Sequence, residues 1–127
     1  NNRGAARKLY RFDLQSDGSL KLGSRKLLYD WKTGRGPDGM VLDERGRLYV
    51  AGGLNQPNPP YETADKMKGG VYVFSPEGRL LDFAPVPRDE VTNCTFGGDD
   101  LKTLFITAGG TLWSIRTKTR GKMAWPK

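Results

Sequence analysis

Histidine is absent from the 127 residues of this chain, and Cys94 is its sole cysteine. Without histidine, the chain cannot form a Ser-His-Asp or Cys-His catalytic arrangement or a histidine-ligated metal site. A single cysteine also excludes an intrachain disulfide and a cysteine-based zinc site. A metal ion bound by this chain must therefore be held by oxygen ligands, a set that favours calcium or another hard divalent ion.

Long apolar runs are missing as well. No stretch approaches the roughly 18 consecutive apolar residues of a membrane-spanning helix, so no membrane partner is expected. The N-terminus lacks the pattern of a signal peptide and begins Asn1-Asn2-Arg3, which suggests processing or truncation. We expect a soluble protein, and both a cytoplasmic and a periplasmic or secreted location remain open.

The formal net charge of +7 raises the question of a nucleic-acid partner. Lysine and arginine are scattered in ones and twos, and their longest concentration runs from Arg116 to Lys122. The sequence contains no basic helix and no aromatic-basic module on which bases would stack. We therefore expect a solvated basic surface and no nucleic-acid partner.

Short apolar or alternating segments, separated by turn residues, predict strands along the whole chain. No window shows convincing helical spacing, so the predicted fold class is all-β. The predicted strands cover residues 7–14, a segment around 26–30, 39–43, 47–51, 70–74, 79–83, 91–96, 103–108 and 111–115.

The longest irregular segment is 52–69, which contains Pro57, Pro59 and Pro60. Proline lacks the N–H that a central strand donates to its neighbour, so this segment cannot be a central strand. The sequence favours a mobile surface insertion here over a substrate lid.

Two parts of the chain repeat one another. Pro37-Asp38-Gly39 aligns with Thr92-Asn93-Cys94, and Leu48–Gly53 aligns with Leu104–Gly109. Short strands with a period of roughly 40 to 60 residues are typical of the four-stranded blades of a β-propeller. With strands labelled A to D from the axis outward, the predicted order is C-D, then A-B-C-D, then A-B-C.

This order gives a partial propeller of two to three four-stranded blades over residues 1–127. Residues 1–33 form the outer hairpin of one blade, 34–88 a complete blade with the 52–69 insertion, and 89–127 the last blade and a basic tail. An open arc leaves an apolar blade face uncovered at each end. The chain is therefore expected to need the missing propeller blades or an oligomeric partner.

Asp38 and Asn93 are the candidate site residues. Pro37-Asp38-Gly39 is by itself a turn signal in which Asp38 has only a structural role. The repeat, however, places both Asp38 and Asn93 just before an inner strand, where side chains ring the channel of a propeller. Both interpretations of Asp38 stay open on these grounds. Other conspicuous residues are expected to be structural: Cys94 and the aromatic side chains in the core, and Asp43, Asp99 and Asp100 as solvated turn formers.

The chain resembles the senescence marker protein/gluconolactonase family of regucalcin-like lactonases. The resemblance covers most of the chain, in order and with sensible spacing. It is carried by the motifs Gly36–Met40, Asp43–Ala51, Gly69–Phe74, Thr92–Asp100 and Thr103–Thr107.

The resemblance implies a six-bladed propeller with one divalent metal on its axis, calcium ahead of zinc or another divalent ion. The family holds this metal with a glutamate, an asparagine and an aspartate, and the aspartate of the Pro-Asp-Gly motif corresponds to Asp38. No position here matches the glutamate or the asparagine, so Asn93 is kept as a substrate-pocket candidate only. The chain looks like the C-terminal part of such a protein.

The implied activity is hydrolysis of a sugar lactone, with Asp38 as metal ligand and as a candidate general base. No residue is assigned to an organic cofactor. The chain alone is expected to be inactive. Two alternatives remain open at this stage: a non-catalytic propeller that binds a ligand or calcium, and a short chain that completes a ring by oligomerising.

Overall fold

The computed structural model describes residues 7–63 and 66–123. Within these ranges it contains nine strands and no α-helix. The strands are β1 (Lys8–Leu14), β2 (Leu20–Asp30), β3 (Pro37–Leu42), β4 (Leu48–Gly52), β5 (Gly70–Phe74), β6 (Leu80–Pro85), β7 (Val91–Gly97), β8 (Thr103–Ala108) and β9 (Thr111–Arg116). The all-β prediction is confirmed.

The strands form three antiparallel sheets, each a simple meander. Sheet 1 is the hairpin β1-β2, sheet 2 has the order β3-β4-β5-β6, and sheet 3 has the order β7-β8-β9. The sheets have two, four and three strands in chain order, which agrees with the predicted succession of C-D, A-B-C-D and A-B-C; which strand lies nearest the axis stays a prediction. β2 starts at Leu20, earlier than predicted, because the hairpin ladder continues outward to the Leu14–Leu20 pair.

The central strands of sheet 2 are buried on both faces. Every residue of β5 is buried, and in β4 only Leu48 is partly exposed. This explains why their sequences lack polar alternation, since a strand covered on both sides has no face for solvent. Gly46 and Gly78 have φ of 75° and 92° at the turns that flank these strands, a conformation that favours glycine.

Two apolar clusters join the sheets. The first lies between sheets 2 and 3, and its buried members are Tyr49, Ala51, Val71, Val73, Val86, Val91, Cys94, Leu104, Ile106 and Ala108. The second lies between sheets 1 and 2, and its buried members are Leu9, Trp31, Val50, Tyr72 and Phe74. Sheet 2 therefore has an apolar partner on each face.

Aromatic rings dominate the second cluster. Trp31 is fully buried and meets Tyr29 and Tyr72 edge to face, with ring centroids 4.7 and 5.3 Å apart. Such contacts add to the free energy gained by burying the rings. The expectation of an aromatic core is confirmed for these residues, but Trp113 is 38% exposed on the outermost strand of sheet 3.

Large apolar side chains are exposed at both ends of the arc. At one end they lie on the hairpin and on β3, where Met40 and Leu42 face outward. At the other end, all six residues of β9 are exposed, among them Leu112 and Ile115. These are the faces that a further blade on either side would cover.

Asp43 departs from the expectation of a solvated turn residue, since it is 0% exposed. Its Oδ1 atom accepts hydrogen bonds from the N–H groups of Arg45 and Arg47, which makes it a turn former as expected. Its Oδ2 atom accepts a 2.6 Å hydrogen bond from Nε of Arg47, and Arg47 in turn donates to Thr119. The solvated role was wrong because Asp43 is buried in an ion pair with Arg47, whose hydrogen bond to Thr119 ties the β3–β4 turn to the C-terminal segment.

Cys94 matches its predicted role as a small apolar core residue. Burial raises the pKa of its thiol to about 12, so the nucleophilic thiolate is scarce at neutral pH. None of the described residues belongs to a helix that could cross a membrane. The last four residues of the predicted basic tail, 124–127, lie outside the described residues.

The first cluster predicts a clear contrast between two leucines of sheet 3. Replacing Leu104, which is 1% exposed, by alanine should cost about 2–5 kcal/mol of unfolding free energy, since it leaves a cavity between the sheets. Leu112→Ala is the control, because Leu112 is 69% exposed and should change stability by less than about 0.5 kcal/mol. Urea unfolding of the 127-residue chain measures both. Equal losses for the two variants would contradict the assignment of the core.

Candidate functional site

Asp38 lies near the start of β3, the first strand of sheet 2. The prediction placed it just before this strand, whereas the strand already begins at Pro37. The Asp38 side chain is exposed, and its carboxylate forms no hydrogen bond or ion pair with the residues in the described ranges. A carboxylate with no internal partner is available to a ligand.

Asn93 lies at the equivalent place in sheet 3, inside β7 rather than before it. Its Oδ1 atom accepts a 2.8 Å hydrogen bond from the N–H of Cys94, which fixes the orientation of the amide. β3 lies beside β7, and the Asn93 side chain packs directly on Gly39. A Cβ atom on Gly39 would stand only 2.0 Å from this oxygen, so glycine is required there.

The structure brings Asn93 to the backbone beside Asp38 but does not join the two side chains by a hydrogen bond. Gly39 faces Asn93, and the pairing of β3 with β4 is irregular between Pro37 and Met40, as at a β-bulge, which re-aims the side chains next to it. The Asp38 side chain is exposed at this irregularity. Because the described residues hold no group of three acidic or cysteine side chains around a metal position, further ligands beside Asp38 would come from outside them.

The oxygen donors of this site suit a hard cation, but they are too few to complete its coordination shell. Asp38 supplies carboxylate oxygens, whereas calcium takes about six to eight oxygen ligands. No group of three or more cysteine, aspartate or glutamate side chains that could hold a metal lies within residues 7–63 and 66–123. These residues alone offer part of a site.

Two depressions lie close to Asn93 on sheet 3. One has a volume of about 160 Å³ and is lined by Asn93, Thr95, Phe105 and Thr107 among others. The other has a volume of about 590 Å³ and runs along the rim past Glu90, with the hydroxyl groups of Thr92, Thr107 and Thr111 in its wall. The exposed lining of both depressions is mostly apolar, and Leu112 lines both, as expected for a face that a further blade would cover; Asn93 and the threonines are the polar side chains on it.

The long loop between β4 and β5 is held at its beginning by a group of hydrogen bonds. The backbone N–H groups of Asn55 and Gln56 donate to the carboxylate of Asp89 at 2.8 Å. The Asn55 amide also bonds to the carbonyl of Val86 and to the N–H of Gly69. The tip of the loop is exposed, and its described ends are tied to the core; its mobility stays a prediction.

Arg35 binds the later part of the same loop, at Glu62. Its Nε and Nη2 atoms donate to the two carboxylate oxygens of Glu62 at 3.0 and 3.1 Å, and its Nη1 atom pairs with Glu90. Glu62 also accepts a hydrogen bond from Asn58. The hydrogen bonds from Arg35 hold the pKa of Glu62 below its usual range, so this buried carboxyl group stays ionised.

Sequence reasoning did not single out Arg35, Glu62 and Glu90. They are 27 and 28 residues apart along the chain, and each is an ordinary charged residue of an irregular segment. No motif or periodicity marks such a cluster. Only Glu62, as an acidic residue inside the long loop, could have suggested that the loop is anchored.

Comparison with protein families gives one match that covers most of the chain. Residues 4–110 match the family model described as "SMP-30/Gluconolactonase/LRE-like region". The matched range includes all of sheets 1 and 2, β7 and β8, and with them Asp38 and Asn93.

Two curated relatives are similar over most of this chain. A 6-deoxy-6-sulfogluconolactonase of Pseudomonas putida is 36% identical over 79% of this chain and 30% of its own length. A gluconolactonase of Zymomonas mobilis is 30% identical over 95% of this chain and 31% of its own length. The chain thus spans about a third of the length of the curated relatives it matches.

A solved structure of a luciferin-regenerating enzyme is similar in three dimensions. It superposes with a TM-score of 0.61 over 81% of this chain and 31% of that chain, at 24% sequence identity. At this identity the likeness concerns the fold, and it agrees with the propeller arrangement of the sheets.

The contact between Gly39 and Asn93 predicts the effect of adding one methyl group. Gly39→Ala should push Asn93 away and destabilise the chain by about 1–3 kcal/mol, because both the side chain and the backbone of Asn93 are in the way. Gly23→Ala is the control, since nothing lies within 4 Å of the added atom. Urea unfolding and the NMR shift of the Asn93 side-chain amide measure the two effects. An unmoved Asn93 resonance in Gly39→Ala would show that the contact is not made in solution.

Proposed function

Because the chain belongs to the SMP-30/gluconolactonase/LRE-like family, we propose that it is part of a hydrolase acting on sugar lactones. The observation that carries this proposal is the unpartnered carboxylate of Asp38 on the inner strand β3, beside Asn93 of β7. The relatives named as sugar lactonases support the substrate class. The complete protein would be a propeller of which this chain forms one arc.

In the proposed reaction, one water molecule opens the lactone ring. The water oxygen adds to the carbonyl carbon, the bond between this carbon and the ring oxygen breaks, and the ring oxygen leaves as a hydroxyl group. The water gives up one proton to a base, and the product is a hydroxy acid. Asp38 is the candidate base in this chain, because its carboxylate has no other described partner.

We assign Asp38 a second role as one ligand of a divalent ion, calcium ahead of zinc or another ion. When bound, such an ion would polarise the lactone carbonyl and stabilise negative charge on its oxygen. The remaining ligands would come from other blades or from an oligomeric partner. Asn93, the substrate-pocket candidate beside β3, would bind a hydroxyl group of the sugar and orient its ring.

The role of Asp38 is tested by removing its charge in the complete protein. Asp38→Asn should lower kcat/KM for hydrolysis of gluconolactone about 10²-fold or more, since the base is lost. Asp99→Asn is the matched control, because Asp99 is an exposed aspartate in the turn after β7. The assay subtracts spontaneous hydrolysis of the lactone. Equal activity in the two variants would remove Asp38 from the site.

The need for the other blades is tested with the 127-residue chain by itself. We expect no lactone hydrolysis above the spontaneous rate, with or without added calcium, because the chain offers too few oxygen ligands to complete a calcium site. The complete protein, treated with a chelator and then resupplied with calcium, is the comparison. Robust metal-dependent turnover by the short chain would overturn the proposal. Calcium binding without turnover in the complete protein would favour a non-catalytic binding module.

A further inference from the structure

Arg35 connects three segments at the rim of the arc where β3 and β7 begin. It lies in the β2–β3 connection, Glu62 lies in the loop between β4 and β5, and Glu90 lies in the β6–β7 connection. Its bidentate bond to Glu62 and its single bond to Glu90 use all three guanidinium nitrogens. One side chain thus joins the entries to sheets 2 and 3.

The two ends of the Arg35–Glu90 ion pair occupy equivalent positions in the repeat. Arg35 lies three residues before Asp38, and Glu90 lies three residues before Asn93. The ion pair therefore links two backbone segments, each of which leads along the chain into one of the two candidate site residues. Neither end makes a described contact with those residues, so any effect on them must pass through the backbone.

Burial fixes the Arg35 end of this ion pair. The Arg35 side chain is 14% exposed and that of Glu62 is 4% exposed, so the bidentate pair between them is held away from solvent in a single geometry. This pair fixes Arg35, which then presents its remaining nitrogen to the more exposed Glu90. Below it, Asn93 packs on Gly39 with no room for a methyl group.

We propose that Arg35 and Glu90 are positioning residues that set the spacing between Asp38 and Asn93 across the junction of sheets 2 and 3. The inference rests on the proposed lactonase function and adds to it the residues that keep Asp38 and Asn93 at a fixed spacing. Displacements of about 1 Å at a catalytic group can lower rates about 10²-fold, so a modest shift between the sheets would be costly.

The test removes the Glu90 end, because Glu90 is 56% exposed and its loss leaves the buried Arg35–Glu62 pair intact. In the complete protein, Glu90→Ala should lower kcat for gluconolactone hydrolysis about 10- to 100-fold with little change in KM. Glu90→Gln, which keeps an oxygen acceptor for Arg35, should recover part of the loss. Equal kcat in Glu90→Ala and the control described next would overturn the proposal.

Asp100→Ala is the matched control. Asp100 forms a similar ion pair with Arg116, its carboxylate is 48% exposed, and it lies in the β7–β8 turn at the opposite end of the strand. This variant should keep kcat within about twofold of the unmodified protein. A thermal unfolding measurement on both variants separates a general loss of stability from a shift confined to the site.

A second readout needs no activity. Gly39 lies in sheet 2, whereas Glu90 leads into sheet 3, so the backbone amide resonance of Gly39 is sensitive to a change in the packing between the two sheets. This resonance should shift in Glu90→Ala but not in Asp100→Ala. If the complete protein hydrolyses no lactone, the proposed function fails while this resonance still decides the positioning role. An unmoved Gly39 resonance in Glu90→Ala would overturn that role.

Discussion

Apolar packing between neighbouring sheets is the constraint on which the rest of this structure depends. Sheet 2 is covered on one face by the first cluster and on the other by the aromatic second cluster. Its central strands are too apolar to face water, so sheet 2 requires a neighbour on both sides. The positions of β3 and β7, and therefore of Asp38 and Asn93, follow from how these faces pack.

The candidate site combines a rigid surround with a free functional group. Asn93, Asp89 and Arg35 are each fixed by hydrogen bonds, whereas the carboxylate of Asp38 has no partner in the described part of the chain. Because Asp38 is exposed, water hydrates its carboxylate, and no internal hydrogen bond has to be broken before the carboxylate can take up a ligand. This contrast supports a role in ligand binding or catalysis.

Local sequence patterns were sufficient for the strands, because apolar alternation and turn glycines act over a few residues. The repeat of Pro37-Asp38-Gly39 in Thr92-Asn93-Cys94 was sufficient to place Asp38 and Asn93 on the first strands of adjacent sheets, β3 and β7, which lie side by side. Long-range charge pairing could not be predicted in this way. Asp43 was expected in solvent because the segment that packs on its turn is distant in sequence: Arg47, the ion-pair partner of Asp43, donates to Thr119, 72 residues further on. Likewise, Arg35 gave no local signal for Glu62.

Sheet 3 ends in β9, one strand fewer than sheet 2 has. Along the outer side of β9, within the described residues, the main-chain amides and carbonyls have no neighbouring strand to bond. Such an exposed edge strand can pair with an extended segment of another chain, including a second molecule of the same kind. Isolated at high concentration, this polypeptide would thus be prone to stack into filaments by continuing its own ladder.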